Sequence, residues 1–215
     1  MPNWCMQEVY LHGETSMVQK LYDALVGDEW NRPEDWQPKF CSVVIPEPDN
    51  MFRGLLGDEE RKMCEREGRP NWYDWHNENW NTKWDVGNVE IVDPIQHDDH
   101  YPMPTSFFKF TCWTAWDAPI PVWEKLHEMG IEVQAEYEVE GVDVVGEFAL
   151  GEHHCRTLTE EEIKEREARW EKDSLTIVRC TNGVGDWEVI SDGGISEVFD
   201  THEEALKRLM ELHDA

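Results

Sequence analysis

The stretch Phe107-Phe108-Lys109-Phe110-Thr111-Cys112-Trp113 decides how the chain is read. Phe108, Phe110 and the Cys112-Trp113 pair alternate with Lys109 and Thr111, the two-residue period of a strand with one buried face. So apolar an inner face predicts a central strand. On its C-terminal side, Pro119 and Pro121 open a helix in which Val122, Trp123, Leu126 and Met129 share a face. Proline is tolerated in a first helical turn because its missing N–H would have no partner there. Gly130 stops this helix. Two more strands follow, Ile131 to Val139, with Val133, Ala135, Tyr137 and Val139 on one face, and Val142 to Leu150.

On the N-terminal side, Trp4 to His12 alternates Val9 and Leu11 against Glu8 and Tyr10, a second strand, ended by Gly13. Thr15 or Ser16 caps a helix with Val18, Leu21, Tyr22 and Leu25 at helical spacing, closed by Gly27. A Trp- and Pro-rich loop, 28–38, leads to a predicted short strand, Lys39 to Ile45, broken by Pro46-Glu47-Pro48. Asp58 is expected to cap a surface helix ending at Gly68. Gly87 to Val92 reads as a strand and Asp93 to Thr105 as a Pro/His/Asp-rich loop. The order predicts an α+β fold: a decorated ferredoxin-like βαββαβ antiparallel sandwich over residues 1–157, with a helical and loop insertion around 46–105.

Residues 158–172 are charged and helix-prone, with Thr159 and Glu162 spaced as a capping box, and read as a connector. Residues 173–215 read as a small βββα module. Its strands, Ser174 to Cys180, Asp186 to Ile190 and Ile195 to Phe199, are separated by Asn182-Gly183 and Asp192-Gly193-Gly194, both hairpin signals. Thr201 caps the last helix, with Ala205, Leu206, Leu209 and Leu212 inward.

Charge constrains partners. Nineteen basic residues stand against 47 acidic ones, a formal net charge of −28, spread over both parts of the chain. Nucleic-acid affinity rests on cations that displace counterions from phosphate, so no direct nucleic-acid partner is expected. The same repulsion disfavours anionic membranes. A protein partner with a basic surface is the natural complement, reached by steered and salt-sensitive association. No run approaches the roughly 20 apolar residues of a membrane helix. The opening Met-Pro-Asn-Trp-Cys has neither the basic start nor the apolar run of a signal peptide, so a cytoplasmic location is expected. Six dispersed cysteines, without a C-x-x-C, are expected as free thiols there.

Three blocks of rare residue types carry a resemblance: Pro2-Asn3-Trp4-Cys5; Asn71-Trp72-Tyr73-Asp74-Trp75 running on to Trp80-x-Thr82-Lys83-Trp84; and Thr114-Ala115-Trp116-x-x-Pro119-Ile120-Pro121. Over about residues 1–155 the chain resembles the YubB-like ferredoxin-like family, of unknown function, whose members are carried by bacteriophages, plasmids and their hosts. The resemblance implies a ferredoxin-like fold and a phage or mobile-element setting in a bacterial host cell, and no catalytic residues. The chain departs from the family at Asn81, where members commonly have Gly, and at Met6-Gln7, where an Asn is common.

Two chemistries compete for the Asn71–Asp85 block. Trp72, Trp75, Trp84 and Trp80 would form a platform for a base, with Lys83 on a phosphate and Asn71 or Asp74 on the base edge. Alternatively the indoles wedge between sheet and loop with their N–H groups bonded, sealing the fold. The surrounding negative charge favours the second. A small-molecule or nucleotide pocket, enzymatic or not, would draw on Asn3, Trp72, Trp75, Lys83 and Trp116. His97-x-x-His100 with Asp98 and Asp99, and His153-His154-Cys155, carry ligand-type side chains, but neither supplies a closed four-ligand set, so no metal is assigned. No cofactor motif and no hydrolase, Walker or zinc-protease signature occurs. Glu160, Glu161, Glu162 and Glu165 either form a solvated helix face or present a negative stripe to a basic partner.

The leading expectation is a non-enzymatic acidic accessory protein acting by protein–protein contact. It would inhibit a host defence or DNA-handling protein, with carboxylates standing in for DNA phosphates. The alternatives are the Trp-lined pocket and a homo-oligomeric scaffold that pairs through the C-terminal module.

Overall fold

The computed structural model describes residues 3–27, 36–98, 104–173, 176–179, 187–190 and 196–199, together with Glu204, Lys207 and Arg208. The chain forms two compact units, residues 1–157 and 158–215.

The first unit runs β1 (Trp4–Glu14), α1 (Thr15–Val26), α2 (Phe40–Val44), α3 (Asp58–Glu67), α4 (Trp72–Trp80), β2 (Gly87–Asp98), β3 (Thr105–Ala115), α5 (Ile120–Glu128), β4 (Glu132–Val139), β5 (Val144–Ala149) and β6 (Glu152–Thr157). The six strands form one sheet in the order β2-β3-β1-β4-β5-β6, antiparallel throughout. The strand predicted around Phe107–Trp113 is interior, as β3 between β2 and β1.

Alternation decides which face is covered. Cys5, Val9 and Leu11 of β1, Phe108, Phe110 and Cys112 of β3, Val133, Ala135 and Val139 of β4, and Phe148 of β5 point to one side and are buried. Against them pack Val18, Leu21 and Leu25 of α1, Phe40 and Val44 of α2, Trp80 of α4, and Val122, Trp123 and Leu126 of α5, in one continuous core. Each such aliphatic or Phe side chain contributes about 1.5–3 kcal/mol on burial.

The predicted strand Lys39–Ile45 is a short helix, α2. Its composition suits a strand, but the Asp85 carboxylate accepts the N–H groups of Cys41 (2.7 Å) and Ser42 (3.0 Å), satisfying donors that a helix start leaves open. Phe40, Cys41 and Val44 then face the core together. Neither Thr15 nor Ser16 caps α1; Glu14 occupies that position with no side-chain cap, and Ser16 Oγ instead donates to the Glu14 carboxylate. The expected loop after Val92 continues as strand to Asp98, with shifts in register against β3 that absorb Pro94. Residues 152–157, where the sequence reading places no strand, form the edge strand β6.

The second unit contains α6 (Glu160–Asp173) and a three-stranded antiparallel sheet, β7 (Thr176–Arg179), β8 (Trp187–Ile190) and β9 (Ser196–Phe199), in that order. The Thr159–Glu162 capping box is present: Thr159 N–H donates to the Glu162 carboxylate at 2.8 Å, and Glu162 N–H donates to Thr159 Oγ1 at 3.3 Å. The two hairpin separators, Cys180 and the Thr201 cap lie outside the described residues, as do the inward leucines of the last helix. Among the described residues no helix is long and apolar enough to cross a membrane.

Candidate functional site

The same alternation that fills the core sends every other strand residue to the opposite face. Trp4, Met6, Glu8, Tyr10 and His12 of β1 lie there, half-buried or exposed. They are joined by Phe107, Lys109, Thr111 and Trp113 of β3 and by Glu132, Gln134, Glu136 and Glu138 of β4. Register aligns them in rows across the strands. One row reads Glu90, Thr111, Glu8, Glu136, Glu147, His154, each residue directly opposite the next. The row beside it reads Trp113, Met6, Glu138, Val145, Arg156.

Three glutamates, Glu8, Glu136 and Glu147, therefore sit side by side on adjacent strands. Like charges directly opposite one another destabilise a sheet. Glu8 is partly neutralised by Lys109 at 2.7 Å. Glu136 and Glu147 have no ion-pair partner among the described residues. The two rows line a groove of about 770 Å³ whose walls combine these carboxylates with Met6, Trp113 and Val145. The negative field registers in its neighbours. The hydrogen bond to Glu8, with Asp93 and Glu136 nearby, holds the Lys109 ammonium above the usual lysine range. Partial burial and the Glu132 charge push the Tyr10 phenol up.

The aromatic block falls at a corner of this unit and divides in two. Asn71 and Asp74 serve the fold. Asn71 Oδ1 accepts the Asp74 N–H at 3.0 Å and so caps α4, while the Asp74 carboxylate takes Arg61 and the Asn71 amide, each at 2.7 Å. Trp72 donates its indole N–H to the Gly54 carbonyl, 3.1 Å away. Trp75 packs edge-on against buried Trp80. Trp80 in turn stacks on His76 with ring centroids 4.1 Å apart and donates to the Ile45 carbonyl. Asn71, Asp74, Trp72, Trp75 and Trp80 thus each have partners within the fold.

Lys83, Trp84 and Trp116 come together differently. Lys83 Nζ lies 4.3 Å from the centroid of the Trp84 ring, 5.5 Å from that of Trp116 and 6.0 Å from that of Tyr73. The backbone here is pinned on both sides. Asn81, at φ 61°, donates to the Ala118 carbonyl, and Thr82 Oγ1 accepts the Ala115 N–H. His76 Nδ1 bonds the Lys83 carbonyl at 2.8 Å. Glycine and asparagine are the residues that enter the left-handed conformation at Asn81 most readily. Asn3 contributes its backbone: its carbonyl accepts the Trp116 N–H at 2.8 Å, which anchors Trp116 at φ 82°. Trp4 contacts both Trp84 (6.3 Å) and Trp113 (6.1 Å), so an aromatic run leads from this corner to the groove.

Sequence reasoning missed Tyr73 as a partner of Lys83, and it missed the glutamate row. The alternation Glu132-x-Gln134-x-Glu136-x-Glu138 carried the signal for the second, because it is the complement of the inward Val133, Ala135, Tyr137 and Val139. Among the predicted acidic candidates, Glu160, Glu161 and Glu165 are exposed on α6, and Glu162 is engaged in the capping box. Of the histidine clusters, Asp99 and His100 lie outside the described residues; His97 Nδ1 bonds Ser106 Oγ, His153 Nε2 bonds Tyr137 Oη, each at 2.8 Å, and His154 approaches Glu152. No group of three metal-ligating side chains occurs among the described residues. Cys5, Cys41, Cys64 and Cys112 are buried free thiols, and Cys155 is an exposed one.

Compared with protein-family models, with curated proteins and with solved structures, the chain matches none of them.

Proposed function

We propose that this protein works by protein–protein contact, docking a basic partner surface against the open face of its six-stranded sheet. The observation that carries this reading is the row Glu8, Glu136, Glu147, with two carboxylates unpaired among the described residues, beside a row in which Trp113 adjoins Met6 and Val145 follows across Glu138. Such a row repels itself in the free protein and is relieved when cations cover it. Trp113, Met6 and Val145 supply non-polar area of the kind that productive interfaces bury at their centre. The net charge of −28 would steer a basic protein toward this face and keep phosphate backbones away.

Proteins that handle nucleic acids present cationic grooves of the required kind. An acidic accessory protein that occupies such a groove in place of DNA, in a phage or mobile-element setting, is the reading most consistent with the YubB-like resemblance. A ferredoxin-like core is supported by the order β1-α1-β2-β3-α5-β4 and by β1 and β3 lying between β2 and β4 in the sheet.

The test separates this face from bulk charge. Binding of a fluorescent arginine-rich peptide is measured for a variant with Glu8, Glu136 and Glu147 all changed to Gln. A second variant carries Gln at Glu160, Glu161 and Glu165, with the same change in net charge. At about 0.2–1 kcal/mol per lost charge pair, the first should weaken binding by on the order of tenfold and the second only slightly. Equal losses would mean that total charge alone attracts the peptide.

A further inference from the structure

The ammonium of Lys83 has an unusual address for a cation in so acidic a chain. Acidic residues outnumber basic ones 47 to 19, yet no carboxylate lies at ion-pair distance from Lys83 among the described residues. Its neighbours are ring faces. Three aromatic centroids lie within 6.0 Å of Nζ, the reach of a cation–π contact. The rings come from three separate segments: Tyr73 from α4, Trp84 from the bend after it, and Trp116 from the residue that follows β3.

Each ring is held independently of the lysine side chain. Tyr73 stands edge-on to Trp72 and Trp116 and has Arg61 5.3 Å from its centroid. Trp84 contacts Trp4, and Trp116 is anchored through Asn3 at a backbone angle that side chains rarely adopt. Trp84 and Trp116 remain 41% and 36% exposed, so the box opens to solvent. Lysine, by contrast, is a flexible four-carbon stem that can swing out with no change in backbone.

We infer that Tyr73, Trp84 and Trp116 form a preformed binding box for an alkylammonium group, in which Lys83 is a built-in occupant that an incoming organic cation displaces. The chemistry is that of quaternary and methylated amines, which bind aromatic faces because their charge is diffuse and weakly hydrated. The box adjoins the groove through Trp4, but the inference does not need the groove: a small cation tests it without any basic protein.

The experiment follows tryptophan indole N–H resonances of the full chain during titration with tetramethylammonium chloride, at constant ionic strength. The indole signals are assigned from Trp84→Phe and Trp116→Phe. Three proteins are compared: the parent chain, Lys83→Ala, and Lys83→Ala combined with Trp116→Ala, with unfolding midpoints confirming that each is folded. Lys83→Ala should bind at least tenfold more tightly than the parent chain, shifting the Trp84 and Trp116 signals, and the double variant should lose that gain. Neopentyl alcohol, a neutral ligand of similar shape, should bind Lys83→Ala far more weakly than the cation. If Lys83→Ala binds no better than the double variant, or takes the alcohol equally well, the box is ordinary packing and the inference fails. If instead adenosine monophosphate binds the parent chain and is lost in Lys83→Ala, Lys83 serves a phosphate and the inference is likewise overturned.

Discussion

Replacing Glu136 by Gln should make the protein more stable while weakening its hold on a basic partner. Glu136 stands directly between Glu8 and Glu147. Cross-strand neighbours have Cβ atoms about 4.5–5.5 Å apart, which places the carboxylates roughly 6 Å from each other. At a solvent dielectric, two charges at that distance repel by about 0.7 kcal/mol, so Glu136 carries about 1.4 kcal/mol from its two neighbours. Screening at physiological salt, with a Debye length of about 8 Å, cuts this roughly in half. Lys109, bonded to Glu8, removes a further share. The net gain expected from Glu136→Gln is thus about 0.5 kcal/mol at physiological salt and about 1 kcal/mol at low salt. For a unit of this size that is about 1–4 °C in melting temperature. Thermal melts are recorded at low salt and at about 1 M salt, where the Debye length is about 3 Å and the gain should vanish. A Glu136→Gln protein that melts at or below the parent temperature in low salt would refute the reasoning, because carboxylates held side by side must repel. The same variant, bound to the arginine-rich peptide, should show the opposite sign.

Other consequences are equally direct. A methyl group at Gly146 would lie 2.5 Å from Tyr137 Cε1, Cζ and Oη, so Gly146→Ala should cost about 1–3 kcal/mol in urea unfolding; an unchanged midpoint would mean the ring does not cover that strand. Brief iodoacetamide treatment of the native protein, read by peptide mass, should modify Cys155 well before Cys5, Cys41, Cys64 or Cys112. Burial, with help from the Asp117 charge, pushes the Cys5 thiol up to about 12, and burial, with the Asp85 charge adding to it, raises Cys41 and Cys112 well above the ordinary thiol range. Partial burial would raise Glu47 and Asp74, but hydrogen bonds from Arg53 and His76 to the first, and from Arg61 and Asn71 to the second, hold both below the usual carboxylate range. Their contribution is therefore complete at neutral pH and lost as pH falls through those lowered values. A Glu47→Gln protein should lose less stability than the parent between about pH 5 and pH 3 in acid titrations followed by circular dichroism.

How far the chain could be read in advance depended on whether the cause lay nearby in sequence. The alternation around Phe108-x-Phe110-x-Cys112, and the helical spacing of Val18, Leu21 and Leu25, are local patterns, and these elements and their buried faces stand where they were expected. Residues 39–45 defeated the same logic because their helix is started by Asp85, more than forty residues away, and no window around Phe40 contains that carboxylate.

Sequence alone determined the excess of negative charge, the periods of β1, α1, β3, α5 and β4, and which side of β4 would be acidic. Only the tertiary structure decided that Glu8, Glu136 and Glu147 stand shoulder to shoulder, because register is a property of paired strands and a shift by one residue would have scattered them. It also decided which tryptophans pack and which surround Lys83. Composition supplies the rings, but their meeting depends on three segments being brought together by the sheet and by hydrogen bonds that involve Asn3, Thr82 and His76.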